Sequence, residues 1–194
     1  MFSGKFGLPV VWPFESYGRF PSGGIGFGNV NVELVGSEHG QSGLAGVALE
    51  PTSLSEVLGQ LDTQGLEHGP PEPFSQTDSS GAERLLWTKI DIKTFPPADA
   101  IFFCKYNFDV DERRERIRRE LKDHGGGPLG IEALAELVIG VKDLHAAQHE
   151  WSVLLGPVAS GKEILWHAGS GPAIRMIAAK EDRLVLLRVE GEVA

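Results

Sequence analysis

Residues 136–144 read ELVIGVKDL, and residues 46–54, ninety positions earlier, read GVALEPTSL. In each, a short apolar run passes through a polar residue able to cap a helix and then meets a leucine. In the upstream copy Ser53 and Glu56 form a capping box, the serine oxygen serving the Glu56 amide and the glutamate reaching back. Leu54, Val57, Leu58 and Leu61 then fall on one helical face, and Gly65 supplies the stop. In the downstream copy Asp143 is the cap, and Leu144, Ala147, Trp151, Leu154 and Leu155 form the stripe. The spacing predicts two strand-to-helix units, each followed by further strands. One such unit leaves a curved sheet face uncovered, so it needs another unit to close it.

Outward from this repeat, residues 8–14 (LPVVWPF) read as a short strand bounded by prolines. In residues 28–35 (GNVNVELV), Val30, Val32 and Leu34 face one way while Asn31, Glu33 and Val35 face the other. Gly28 and Asn29 suit a turn before that strand. Residues 68–83, HGPPEPFSQTDSSGAE, are rich in proline, serine and glycine and read as a loop. RLLWTKIDIKT (84–94) and AIFFCKYNF (100–108) are strands. DERRERIRRELKDH (111–124) is a charged helix that buries Val110, Ile117 and Leu121. Its five arginines read as a solvated face, neutralised by pairs such as Glu112–Arg116 and Glu115–Arg119. HGGGPLG (124–130) is the best candidate boundary, separating residues 1–124 from a unit at 131–194. KEILWHA, AIRMIAA and RLVLLRVE close the chain as three strands.

The 194 residues are 41% hydrophobic and 23% charged, ordinary proportions for a globular chain. A net charge of −9 repels a phosphate backbone and argues against nucleic-acid binding. The single cysteine, Cys104, excludes an internal disulfide and fits a reducing compartment. No apolar run resembles a signal peptide or reaches membrane-spanning length, so a cytoplasmic protein is expected.

GPVASGKE (156–163) comes within one residue of a phosphate-binding loop. That motif needs a strand before it and a helix after it, so that helix amides face the anion. Here the order is helix, then strand, and Glu163 stands where a hydroxyl would hold magnesium. Nucleotide binding is not expected.

LVIGVKDLHAA (137–147) and GNVNVELV resemble the vicinal-oxygen-chelate superfamily, which includes glyoxalase I, bleomycin-resistance proteins and extradiol dioxygenases. The front of the chain is most similar to its glyoxalase-like members. The resemblance implies an α+β fold of curved, mixed, mostly antiparallel sheets with helices outside and a small-molecule cavity on a concave sheet face. It implies a first unit lacking its leading strand and helix, with MFSGKFGLPVVWP starting at the end of that helix.

The resemblance also places the family's metal-ligand positions. They fall on Glu33 in the first unit, Gly46 and Lys105 in the second, and Glu136 and about Leu186 in the third. None is histidine, and two glutamates do not make the three or four donors that a catalytic metal needs. No cofactor is therefore expected, a divalent metal being the alternative. Asn31, Glu33, Lys105 and Glu136 are the expected ligand-contacting residues. Lys105 is expected to anchor an anionic or carbonyl ligand beside Glu33, against the plainer reading of a lysine that snorkels to solvent.

Glu38 and His39 could line the mouth of a pocket or a surface turn. His145 and His149, four apart, lie off the buried stripe and read as exposed, and Cys104 reads as a buried thiol. The expected function is that of a small-molecule protein, either an enzyme on a small carbonyl or oxygenated compound or a binder without the family metal. The truncated edge and the apolar third unit predict a homodimer. The alternative is a monomer in which HGGGPLG folds the third unit back onto the first.

Overall fold

The computed structural model describes residues 2–16, 21–36, 46–77, 80–93, 101–167 and 169–191, so Glu38 and His39 lie outside it. The chain runs α1 (Phe2–Phe6), β1 (Val10–Ser16), β2 (Pro21–Gly26), β3 (Asn31–Val35), β4 (Val47–Leu49), α2 (Leu54–Gln64), β5 (Glu72–Thr77), β6 (Glu83–Asp91) and β7 (Ile101–Tyr106). It continues through α3 (Val110–Asp123), β8 (Ile131–Val141), α4 (Leu144–Leu155), β9 (Glu163–His167), β10 (Ala173–Ala178) and β11 (Arg183–Gly191).

Both helix caps behave as their chemistry dictates. Ser53 accepts from the Glu56 amide, Gly65 closes α2 in the left-handed region at φ 67°, and Asp143 accepts from the His145 and Ala146 amides. The near-miss phosphate loop joins α4 to β9, the reverse of the order that phosphate binding requires.

The fold is α+β. Its strands form three open sheets with the orders β1-β2-β3, β4-β7-β6-β5 and β11-β8-β10-β9. Pairing is antiparallel except for β4 with β7 and β8 with β10, which are parallel. The two strand-to-helix units share their order of elements but not their pairing. β4 pairs with the last strand of its unit, whereas β8 lies between β10 and the antiparallel β11. The stretch expected as a loop, residues 68–83, contains β5. It is an edge strand, where Pro73 costs no ladder bond on its open side.

One core cluster joins the helix-covered faces of the second and third sheets. It contains Leu61 of α2, Ile90, Ile101 and Phe103 of the second sheet, Trp151 of α4, and Ile139, Trp166 and Met176 of the third sheet. Trp151 and Trp166 are fully buried, with ring centroids 6.2 Å apart.

A second cluster gathers Leu8, Ile25 and Phe27 with Leu121, Ile131 and Leu134. The third unit's first strand thus packs on the first sheet. The glycine-rich stretch between α3 and β8 is a packed corner. Gly127 lies at φ 67°, and a Cβ there would stand 1.8 Å from the Phe6 carbonyl oxygen.

Beside this apolar contact, one side-chain amide ties the first sheet to β8. β10 pairs with β8 only from Glu136 onward, so the edge of β8 at Leu134 has no strand beside it there. Asn29 fills the place: its Nδ2 donates to the Leu134 carbonyl at 2.9 Å, and its Oδ1 accepts from the Leu134 amide at 3.0 Å. Gly28 lets the turn approach this closely, at φ 82°, with the Glu132 carbonyl oxygen 2.7 Å from where a Cβ would be. An unpaired buried backbone group costs about 1–3 kcal/mol. We therefore expect Asn29→Ala to lower the unfolding free energy by about that amount in urea titrations. A loss below about 0.5 kcal/mol would mean that the amide does not tie these parts together.

Candidate functional site

The second sheet has one face under α2 and an opposite face, the open face, that is partly covered, with Cys104 6% exposed, and strand alternation assigns its residues. Ile101 and Phe103 join the core under α2, so Phe102, Cys104 and Tyr106 take the other face. Register sets their neighbours in rows: Phe74, Trp87 and Tyr106; Glu72, Lys89 and Cys104; Asp91, Phe102 and Ala48. Glu50, one residue beyond β4, extends the row of Cys104. The Phe74 and Trp87 rings stack with centroids 4.6 Å apart and 9° between planes, and Tyr106 packs on Phe108 at 5.0 Å. Lys89 lies over the Phe102 ring at 5.2 Å and pairs with Asp91 at 2.7 Å.

The first turns of α3 border this face. The Arg113 guanidinium lies over the Trp12 ring at 5.3 Å and the Phe108 ring at 4.8 Å. Trp12 reaches this place by lying flat on Gly24, where a Cβ would stand 2.1 Å from its ring. Ile117 uses Gly26 in the same way, at 2.2 Å. Arg114 pairs with Glu50 at 2.8 Å. A cleft of about 370 Å³ is lined by Phe108, Asp109, Glu112, Arg113 and Arg116.

Burial dominates the titration of these groups. It pushes the Cys104 thiol up to about 11 against a smaller lowering by its hydrogen bond with Tyr106, and the Glu50 and Glu33 charges add to the rise. Burial, then the neighbouring Cys104, raises the Tyr106 phenol further. Both stay protonated at neutral pH, so they are hydrogen-bond donors and poor nucleophiles. Burial also raises the Glu50 carboxyl, opposed by Arg114 and then Lys105, and it lowers the Arg113 guanidinium.

The expected site residues separate. Glu33 is exposed on β3, opposite Gly24, and near enough for its charge to act on Cys104 and Tyr106. Asn31 shares that side of β3 and is exposed. Lys105 alternates onto the side of Ile101 and Phe103, opposite Thr88, so the β7 residues on Glu33's side are Cys104 and Tyr106.

Glu136 belongs to the third sheet. Its carboxylate takes Arg175 Nη2 at 2.5 Å and Nε at 3.0 Å, and Arg188 at 2.5 Å. The Arg175 hydrogen bonds hold it below the usual carboxylate range against the opposing effect of burial. Arg175 in turn pairs with Glu163 at 2.5 Å.

These placements do not fit the family metal. Gly46 and Leu186 offer no donor, Lys105 is on the helix-covered side, and Glu136 is held by two arginines. Among the described residues, no group of three or more His, Cys, Asp or Glu side chains converges. His145 and His149 are exposed. No helix of the described residues is long and apolar enough to cross a membrane.

Arg113 was masked by its own helix. Reading 111–124 as a solvated face holds for most of it, with pairs at Arg116–Glu120, Arg114–Asp111 and Arg118–Glu115 rather than those expected. Arg113, however, stands four residues before Ile117 and eight before Leu121, both buried, and that spacing was the available signal.

No family model matches the sequence, and no curated protein does. The fold is similar to that of a hypothetical protein from Staphylococcus aureus solved by crystallography, with a TM-score of 0.54 and 10% identity over 72% of this chain. The chain spans about half of that protein, 54% of its length. At this identity the likeness bears on the fold alone.

The protonated thiol makes a pH prediction. Below pH 9.0, the ordinary thiol value, folded and unfolded chains both keep the proton and nothing changes. Between there and about 11 the unfolded chain ionises first, so stability falls as pH rises. By about pH 10.5 this amounts to roughly 2 kcal/mol, the remainder being lost only above the folded value. Urea unfolding at about pH 8 and about pH 10.5 should show this loss, and Cys104→Ala should reduce the slope without abolishing it, because the raised Tyr106 phenol acts in the same direction. Equal slopes for the two proteins would place the thiol outside the buried environment described here.

Proposed function

We propose that this is a glyoxalase-like small-molecule protein whose ligand lies over the open face of the second sheet, on the side of Glu33. The observation that carries this reading is the aromatic row Phe74, Trp87, Tyr106 and Phe108, set beside two groups that keep their protons, Cys104 and Tyr106. Aromatic faces supply apolar contact, and the Cys104–Tyr106 hydrogen-bonded pair keeps the adjoining surface uncharged. The ligand class is a small carbonyl or oxygenated compound. Binding without turnover and without a resident metal is the preferred reading, because the available groups keep their protons and the donors required for a metal do not converge.

A second reading, an enzyme, has one observation in its favour. Glu50, whose burial raises its proton affinity, borders the same row and is the candidate general base.

Acetophenone and catechol are suitable probes, titrated by intrinsic fluorescence. Each is expected to saturate, and Trp87→Ala is expected to weaken both by about tenfold, the size of one lost aromatic contact. Ligand recovered after denaturation should be unchanged. A converted product, abolished by Glu50→Gln without loss of binding, would establish the enzyme instead. Metal analysis of the same sample should find far less than one equivalent. Failure of both probes to bind at millimolar concentration would overturn the proposal.

Assembly is proposed through β11. It is the edge of the third sheet and carries exposed Val185, Leu186 and Val189, at 40–44% exposure. A second copy related by a two-fold axis would cover them. Sedimentation equilibrium should give twice the chain mass, and Leu186→Lys should return the monomer. A single monomeric species at high micromolar concentration would refute it.

A further inference from the structure

We infer that the cleft beside the first turn of α3 receives the carboxylate of a small planar monoacid, with Arg113 as its anchor. This names a ligand class for the site proposed above and rests on that reading. The starting point is a contrast within one helix. Arg114, Arg116 and Arg118 each have a carboxylate within 4.0 Å. Arg113 and the exposed Arg119 have none among the described residues, but of the two only Arg113 is partly buried, with its Nε enclosed and without a hydrogen-bond partner.

A half-buried guanidinium with no counter-ion is unfavourable, because desolvation disfavours its charge. That cost is removed when an anion arrives. The guanidinium already lies over two aromatic rings, Trp12 at 5.3 Å and Phe108 at 4.8 Å, neither of which accepts its hydrogen bonds as a carboxylate would. Its Nε is enclosed, so a carboxylate in the cleft would be met end-on by the two terminal Nη groups.

The surrounding charges narrow the choice of anion. Asp109 Oδ1 already accepts from the Glu112 amide at 2.9 Å, so this carboxylate serves the helix cap. Glu112 is exposed on the cleft lining, and Arg116 leans toward Glu120 at 3.9 Å. Two cations and two carboxylates therefore line the cleft, which disfavours a multiply charged phosphate and admits a single negative charge.

The volume, about 370 Å³, suits a small molecule. Phe108, 38% exposed, presents a ring at the cleft and continues through Tyr106 at 5.0 Å toward the aromatic row. A flat apolar body attached to the carboxylate matches that surface.

Isothermal titration of the full chain with benzoate, benzamide and inorganic phosphate tests the inference. Benzoate should saturate, and benzamide, the neutral isostere, should bind at least about tenfold more weakly. Phosphate should not compete. Arg113→Met should lose benzoate by at least about tenfold while staying folded, because the relief of an unpaired, partly desolvated charge offsets the two ring contacts it gives up. Arg113→Lys keeps the charge but not the planar fork and should lose several-fold. It carries the comparison if Arg113→Met does not fold.

Benzoate affinity unchanged in the Lys or Met variant, or benzamide equal to benzoate, or phosphate tighter than benzoate, would overturn the carboxylate inference. If acetophenone and catechol still bind in a Trp87-dependent way in that case, the small-molecule reading survives alone. If neither they nor benzoate bind, both fail.

Discussion

The first sheet is joined to the rest of the molecule by an apolar cluster whose register is set by the side-chain amide of Asn29. A strand edge inside a protein cannot leave its amide and carbonyl unpaired, and β8 extends past the point where β10 stops supplying partners. Asn29 substitutes for the missing strand with one donor and one acceptor. Once it does, Ile25 and Phe27 can pack on Ile131 and Leu134, and β2 is held in place. Trp12 then has Gly24 to lie on, and Arg113 has Trp12 beneath it. The chain of contacts runs from one turn amide to the guanidinium of the candidate site.

Strand parity decides the chemistry of that site. On β7 the residues alternate between the α2 side and the open side, so neighbours in sequence have opposite fates. Lys105 shares its side with Phe103. Cys104 and Tyr106 share theirs with Phe102, Trp87 and Lys89. A shift of one residue would exchange a charged ammonium for a thiol and a phenol that keep their protons. The site therefore has neutral donors where Lys105 was expected to place a cation beside Glu33.

Which parts could be read in advance follows from how local their causes are. Ser53, Gly65 and Asp143 act within one helical turn, so the starts of α2 and α4 and the end of α2 were legible. The alternation of Val30, Val32 and Leu34 gave β3 for the same reason. β5 was not legible, because EPFSQT has the composition of a loop and becomes a strand only by lying at the edge beside β6. The side taken by β7 was hidden because IFFC is apolar on both faces. The repeat predicted the order of elements, but pairing is a long-range property, and β4 and β8 chose different partners. Arg113 was obscured by four other arginines, although its spacing to Ile117 already put it on the buried stripe.

A comparison of Glu136 with Arg113 shows why a buried charge alone does not mark a binding site. Glu136 is well buried, at 13% side-chain exposure, yet two arginines occupy it and one of them also holds Glu163. Every strong donor and acceptor there has a partner within the protein, so a ligand would have to displace one at a cost of several kcal/mol. Around Arg113 the situation is reversed. Glu50 is engaged by Arg114 and Asp109 by the helix cap, so the nearby carboxylates have other partners. The ring contacts hold the guanidinium in place, but no carboxylate among the described residues balances its charge, and that is the difference between this site and the one at Glu136.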